Sequence, residues 1–177
     1  GRTLENDGGD PPRHGLIQTD APLDPAATGG PGLDRRGAVV GISTDPPADS
    51  AGEGLSFAVP IDTARRVAGQ IILTGAVHHP WLGIEGSDLA AGEADALQLA
   101  GGARVATVTE GSPADVAGLE VDDVITAVGE TRVTSMADLV VHLREQQPGA
   151  VVLIAYRRAG QPGFCIATLA ERTCAPA

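Results

Sequence analysis

The break at residues 75–80, Gly-Ala-Val-His-His-Pro, limits the fold more than any other feature, because it ends a helix and divides two differently patterned stretches. Upstream, Pro60 opens a run that sets Ile61, Ala64, Ala68, Ile71 and Ile72 on one face at helical spacing. Proline suits a first helical turn because the N–H it lacks would be unpaired there, and Asp62 complements the positive end of the dipole. Gly75 is placed for the left-handed cap that ends such a helix. From Trp81 onward the pattern becomes short apolar runs at 82–86, 103–109, 122–128, 150–157 and 164–170, parted by turns. Two bodies follow from this, mainly β with a few helices.

Within the second body, Glu93–Leu99 reads as a short helix. Ser112 precedes Pro113 as an N-cap, and Gly118 stops that helix after barely one turn. Ser135 caps a longer helix over 135–146, on which Met136, Leu139, Val140 and Leu143 form one stripe. Pro148-Gly149 then breaks the chain. In the first body, strands are expected at 16–19, 38–42 and 55–59, with loops over 21–32 and 44–53. Residues 1–13 lack periodicity and read as loop or frayed terminus, and His14 lies outside any motif.

Only 2% of residues are aromatic, so the cores must be built from Val, Leu, Ile and Ala. All twelve basic residues are Arg, and the net charge of −11 gives a surface that repels phosphate backbones, which argues against nucleic-acid binding. No apolar run reaches about 18 residues, so no membrane-spanning helix is expected within the sequence. The chain opens at Gly1 rather than Met, which points to a removed or longer N-terminal part. Cys165 and Cys174 are either a small disulfide or two thiols. Neither they nor the four His residues have metal-ligand spacing, and no cofactor is expected.

Residues 81–172 carry Trp81-Leu82-Gly83-Ile84, Glu110-Gly111-Ser112-Pro113-Ala114, Ala117-Gly118-Leu119, Asp123-Val124-Ile125, and Met136-Ala137-Asp138-Leu139 with Pro148-Gly149. In order and spacing these five pieces resemble a PDZ domain of the bacterial HtrA type. One departure is Asp122, where the family usually has Gly. The resemblance implies that Trp81, Leu82, Gly83 and Ile84 form a loop whose N–H groups receive a peptide's C-terminal carboxylate. The strand running on through Glu85 and Gly86 would offer a free edge to an extended peptide. Gly83 would allow close backbone approach. Leu82, Ile84, Leu139 and Leu143 would line a pocket for an apolar terminal side chain. For any one of these residues, core and groove are even alternatives; with the loop motif, the set reads as groove.

Residues 15–75 resemble the end of the protease domain in the HtrA/Deg family, PDZ-bearing relatives of trypsin. The matching pieces are Ile17-Gln18-Thr19-Asp20-Ala21, Gly29-Gly30-Pro31, Val39-Val40-Gly41-Ile42 and Leu55-Ser56-Phe57-Ala58-Val59-Pro60. The implied fold is a partial trypsin-like β-barrel, the C-terminal strands of the second barrel, followed by a PDZ domain. The expected divisions are 1–14 loop, 15–75 protease part, 76–80 linker, 81–172 PDZ domain and 173–177 tail. Lacking its first strands, the half-domain should expose unpaired edges.

The nucleophile loop of the family, roughly N-P-G-N-S-G-G-P, is matched here by Asp24-Pro25-Ala26-Ala27-Thr28-Gly29-Gly30-Pro31. Thr28 stands at the nucleophile position, where its methyl restricts the side chain and crowds the approach of a carbonyl. Ala26 replaces the glycine whose N–H helps build the oxyanion hole, and losing one such donor costs on the order of 100-fold in turnover. Ala27 lacks the polar side chain that usually braces the loop. The catalytic His and Asp of the family lie upstream of these segments, so no complete triad is present. The expectation is a degenerate protease homologue that binds hydrophobic peptide or protein C-termini. The alternatives are an endopeptidase of envelope protein quality control that is active only with an upstream half, and an assembly module of a homo-oligomer such as a trimer. The resemblance also implies a bacterial cell-envelope location, periplasmic or extracellular, with a tether upstream.

Overall fold

The computed structural model describes residues 2–4 (backbone only), 13–21, 27–44 and 55–172. The chain forms two compact units, Gly1–Val77 and His78–Ala177. The boundary falls within the break that the sequence marks at 75–80. Among the described residues the structure is mainly β, with four helices.

The first unit holds strands β1 (Arg2–Leu4), β2 (Arg13–Thr19), β3 (Pro31–Leu33), β4 (Val39–Thr44) and β5 (Ser56–Pro60), then helix α1 (Ile61–Thr74). The strands make one antiparallel sheet in the order β1-β2-β5-β4-β3. The described residues form this open sheet and no closed barrel. Its small core is Leu16 and Phe57, with Leu55 and Val59 packed against them.

Several expectations need correction here. Arg2–Leu4, read as loop, pairs with β2, and β2 begins at Arg13, so His14 is a strand residue. Pro31–Leu33, read as loop, is an edge strand on β4. Neither has periodicity of its own, because a three-residue strand is defined by its partner rather than by its pattern. Pro60 is the N-cap of α1 rather than its first residue, and Gly75 takes the expected left-handed cap at φ 77°, its N–H donating to the Ile71 carbonyl. The helix forms as its spacing predicts, with no residue of α1 buried and Ile72 82% exposed.

The second unit contains β6 (Pro80–Trp81), β7 (Ile84–Asp88), α2 (Ala91–Ala96), β8 (Ala103–Val108), α3 (Pro113–Val116), β9 (Val124–Val128), β10 (Thr131–Arg132), α4 (Met136–Arg144), β11 (Val151–Arg158), β12 (Gln161–Thr168) and β13 (Ala170–Glu171). The main sheet runs β12-β11-β9-β8-β7, with β10 on β9, and β13 pairs with β6. The short pair is tied further: the Arg172 N–H donates to the His79 carbonyl (2.8 Å) and His78 Nδ1 lies 2.5 Å from Glu171 Oε1. His78, His79 and Pro80, read as linker, thus belong to this unit. The core is almost wholly aliphatic, with Val105, Ile125, Val133, Leu139, Ile154 and Leu169 at its centre.

One charged cluster anchors the sheet. Asp123 is fully buried, and Arg158 donates to its two oxygens at 2.8 Å from Nε and Nη2. Arg158 also reaches Glu120 (2.7 Å) and the Gly118 carbonyl (2.7 Å), and lies over the Tyr156 ring. The hydrogen bonds to Asp123 come first among the influences that raise the guanidinium's pKa above its ordinary value. On β12, the Cys165 thiol is pushed up, first by burial and then by Asp123, against the pull of Arg158. Cys174, its candidate disulfide partner, lies outside the described residues.

Candidate functional site

The expected carboxylate loop sits where β6 gives way to β7, and a neighbouring turn holds it in place. The Leu82 carbonyl accepts from the Ala114 N–H and the Gly83 carbonyl from the Thr109 N–H, both at 2.9 Å. With both carbonyls turned to that side, the N–H groups of Leu82 and Gly83 have no acceptor among the described residues. Two adjacent unpaired donors are what a carboxylate requires.

Gly83 has φ +90°, a conformation that L side chains resist. A Cβ there would stand 2.1 Å from Ser112 Cβ and 2.5 Å from Ser112 Oγ. The glycine is therefore demanded by the fold, and not only by close approach of a ligand. Ser112 is itself buried, caps α3 by accepting from the Asp115 N–H (3.3 Å), and donates from Oγ to the Gly83 carbonyl (3.4 Å). The sequence marks Ser112 as a cap; its second task, closing over Gly83, depends on a contact across 29 residues and carries no local signal.

β7 follows the loop and, among the described residues, is the edge of the main sheet, paired with β8 alone. Helix α4 packs beside β6, β7 and β8. Its first N–H, on Met136, donates to Asp88 Oδ1 at the far end of β7 (2.7 Å). Ser135 caps α4 by accepting from the Asp138 N–H (3.0 Å), as its sequence position predicts. Asp138 in turn accepts from the Thr134 N–H and hydroxyl. Burial works to raise the Asp138 pKa, but the Thr134 and Ser135 hydrogen bonds and the charge of His142 outweigh it and hold it below the ordinary 3.8.

The remaining expected site residues fall into two groups. Leu82, Leu139 and Leu143 are buried members of the core, with Ile84 and Met136 half-buried against it. The stripe of α4 thus divides by height: Leu139 and Leu143 form the floor, while Met136 and Val140 reach partly toward solvent. Trp81 is half-buried and paired with Ala170; Glu85 is exposed and accepts from the Thr107 hydroxyl (3.3 Å). Gly86 has no room for a side chain, since a Cβ would meet the Arg104 carbonyl at 2.1 Å and Met136 Sδ at 3.4 Å.

In the first unit, Thr28 is exposed on the turn Ala27-Thr28-Gly29-Gly30. Gly29 (φ +83°) donates to the Ser43 carbonyl and Gly30 to the Ala27 carbonyl, both at 2.9 Å. Ser43 Oγ, nearly buried, donates to the carbonyls of Ala27 (2.6 Å) and Gly30 (3.1 Å). The loop that Ala27 cannot brace with its own side chain is braced by Ser43 from β4. Ala26, the expected oxyanion position, lies outside the described residues.

Comparison with known proteins places these features. Residues 104–158 match the PDZ domain family. The chain is 36% identical over 157 residues to the putative serine protease HhoB of Synechocystis, an alignment that covers 83% of this chain and 37% of that protein. This is an HtrA-type chain with a PDZ domain. A probable periplasmic DegP-like serine endoprotease of Pseudomonas putida is 42% identical over 144 residues, or 78% of the HtrA-type chain and 29% of the relative. The solved HtrA-type protease AlgW with a tripeptide superposes with a TM-score of 0.74 at 31% identity, over 98% of this chain and 59% of that one. The HtrA-type chain therefore spans well under half the length of these curated relatives.

Proposed function

We propose that this chain binds hydrophobic C-terminal ends of peptides or proteins through its PDZ unit, and that the loop at 24–32 does not cleave them. The observation that carries this is the pair of unpaired N–H donors on Leu82 and Gly83 at the head of the open edge strand β7. A terminal carboxylate takes the donors, the peptide backbone adds to the β7 edge, and the terminal side chain lies toward Ile84 and the α4 stripe above Leu139 and Leu143. In this reading residues 81–172 are the PDZ domain and 15–75 the C-terminal part of a protease domain. The relatives named periplasmic favour a cell-envelope location and a role in protein quality control there.

Calorimetric titration of the 177-residue chain with a leucine-ended peptide, and with the same peptide amidated, tests the binding. Amidation removes the charge-assisted bonds, which are worth about 1.5–3 kcal/mol, so affinity should fall by about tenfold or more. Absence of saturable binding, or equal binding of both peptides, would sink the proposal. An active-site fluorophosphonate probe tests the silent loop, and labelling at Thr28 would restore the endopeptidase reading.

A second reading, assembly as a homo-oligomer such as a trimer, is favoured by one surface. Val151, Leu153, Phe164 and Ile166 alternate along β11 and β12, with Leu153 opposite Ile166, and all are exposed. Light scattering on the chain and on Phe164→Ser separates assembly from a monomer: a monomeric mass for both excludes self-association through this face.

A further inference from the structure

We propose that the second unit carries another ligand site, distinct from the β7 edge and independent of the peptide-binding reading, that takes a monocarboxylate with an apolar stem. The site is a cavity of about 550 Å³ between α2, the start of β8 and β9, and the β11–β12 turn. A volume of 300–1,000 Å³ is the ordinary size for a small-molecule site. Arg104, on its wall, lies four residues along β8 from Val108, which pairs with Ile84 at the carboxylate loop. That separates the two sites by roughly 13 Å along the strand.

Backbone strain gathers at this cavity. The described residues include three non-glycine positions with positive φ: Gln98 (55°), Asp122 (70°) and Ala159 (48°). Asp122 and Ala159 line the cavity, and Gln98 directly follows Leu97, which also lines it. Each stands where glycine is the ordinary choice. Gln98 follows the last turn of α2, where Leu99 N–H donates to the Ala94 carbonyl in the bond pattern of a glycine-capped helix. Ala159 is the first residue of a two-residue hairpin turn closed by the pair Arg158 and Gln161. Asp122 occupies a turn before the buried Asp123. Strain of this kind, about 1 kcal/mol or more per residue, collects at sites where the side chains are needed.

The charges select the ligand. Arg158 is engaged by Asp123 and Glu120, and Arg104 Nη2 by Glu93 (2.8 Å). Arg157, by contrast, is in no ion pair among the described residues; its guanidinium makes one long bond, to the Gly160 carbonyl (3.4 Å). One cation outside any ion pair among the described residues, Arg157, thus stands at a wall that also presents Leu97, Ala96 and Val121. Glu93 and Asp122 on the same wall weigh against a doubly charged phosphate, which leaves a single carboxylate with an apolar body.

Amide chemical shifts of the full 177-residue chain, followed by NMR during titration with hexanoate, test the site. Saturable shifts are expected at Leu97, Gln98, Asp122 and Gly160. Methyl hexanoate should bind at least about tenfold more weakly, and Arg157→Gln should weaken hexanoate about tenfold, the value of one charge-assisted bond. A leucine-ended tripeptide that shifts the same amides more tightly than hexanoate identifies the carboxylate as a peptide end; the reverse order identifies a free acid. No shifts, shifts confined to Leu82–Ile84, equal binding of the methyl ester, or preference for hexylamine each overturn the proposal. Shifts at Leu82–Ile84 report separately on the β7 edge, so failure at one site is distinguishable from failure at the other.

Discussion

Replacing Gly83 by alanine tests whether the Leu82–Gly83 loop is shaped by the fold. The added Cβ would lie 2.1 Å from Ser112 Cβ, and the backbone at φ +90° is one that alanine resists. The conformational part costs about 1–2 kcal/mol, and forcing a carbon into a closed contact about 1–3 kcal/mol more. Together they predict a loss of about 2–5 kcal/mol, a large share of the 5–15 kcal/mol that ordinarily holds a domain. Trp81 is the only tryptophan and borders Gly83, so its fluorescence during urea unfolding reports on this unit alone. Ser112→Gly in the same background removes the clashing atoms while leaving the φ cost, and weakens the α3 cap by only a few tenths of a kcal/mol. The double variant should therefore recover about 1–3 kcal/mol relative to Gly83→Ala. A Gly83→Ala chain within about 0.5 kcal/mol of the parent, or a cycle with no coupling, would refute the reasoning.

Asp122→Gly should raise the thermal midpoint, because glycine accepts φ 70° at a saving of about 1 kcal/mol; an unchanged or lower midpoint contradicts this. Arg158→Lys should lower the urea midpoint, because an ammonium cannot replace the fork that reaches both oxygens of Asp123, and a lysine variant as stable as the parent shows the fork to be dispensable. Asp138, whose pKa is depressed on folding, contributes stability that is complete above its unfolded value and is lost as pH falls through the folded one. The urea midpoint should therefore begin to drop as pH approaches 3.8 from above and go on dropping below it, and Asp138→Asn should flatten that drop.

Local chemistry makes much of the second unit legible in the sequence. Ser112 and Ser135 are caps because serine oxygens accept the free N–H groups of a first turn, and both do so. Gly75 ends α1 because glycine tolerates the left-handed cap. The apolar runs became β8, β9, β11 and β12 with no end moved by more than three residues. The shortest elements escaped: β3, β6, β10 and β13 are two or three residues long, too short to show a period of their own.

The sequence by itself determined the family, the division into two units and the order of the longer strands and helices, because these depend on spacing, caps and turn residues that act within a few positions. The tertiary structure alone decided what the individual residues do. It made Gly83 a partner of Ser112, sank Leu82, Leu139 and Leu143 beneath the α4 stripe, and braced the Thr28 turn through Ser43. It also brought Leu97, Asp122 and Ala159 to one cavity from separate segments of the chain. The physical reason is the same each time: burial, close contact and strain are properties of atoms brought together across the chain, and no window of local sequence contains them.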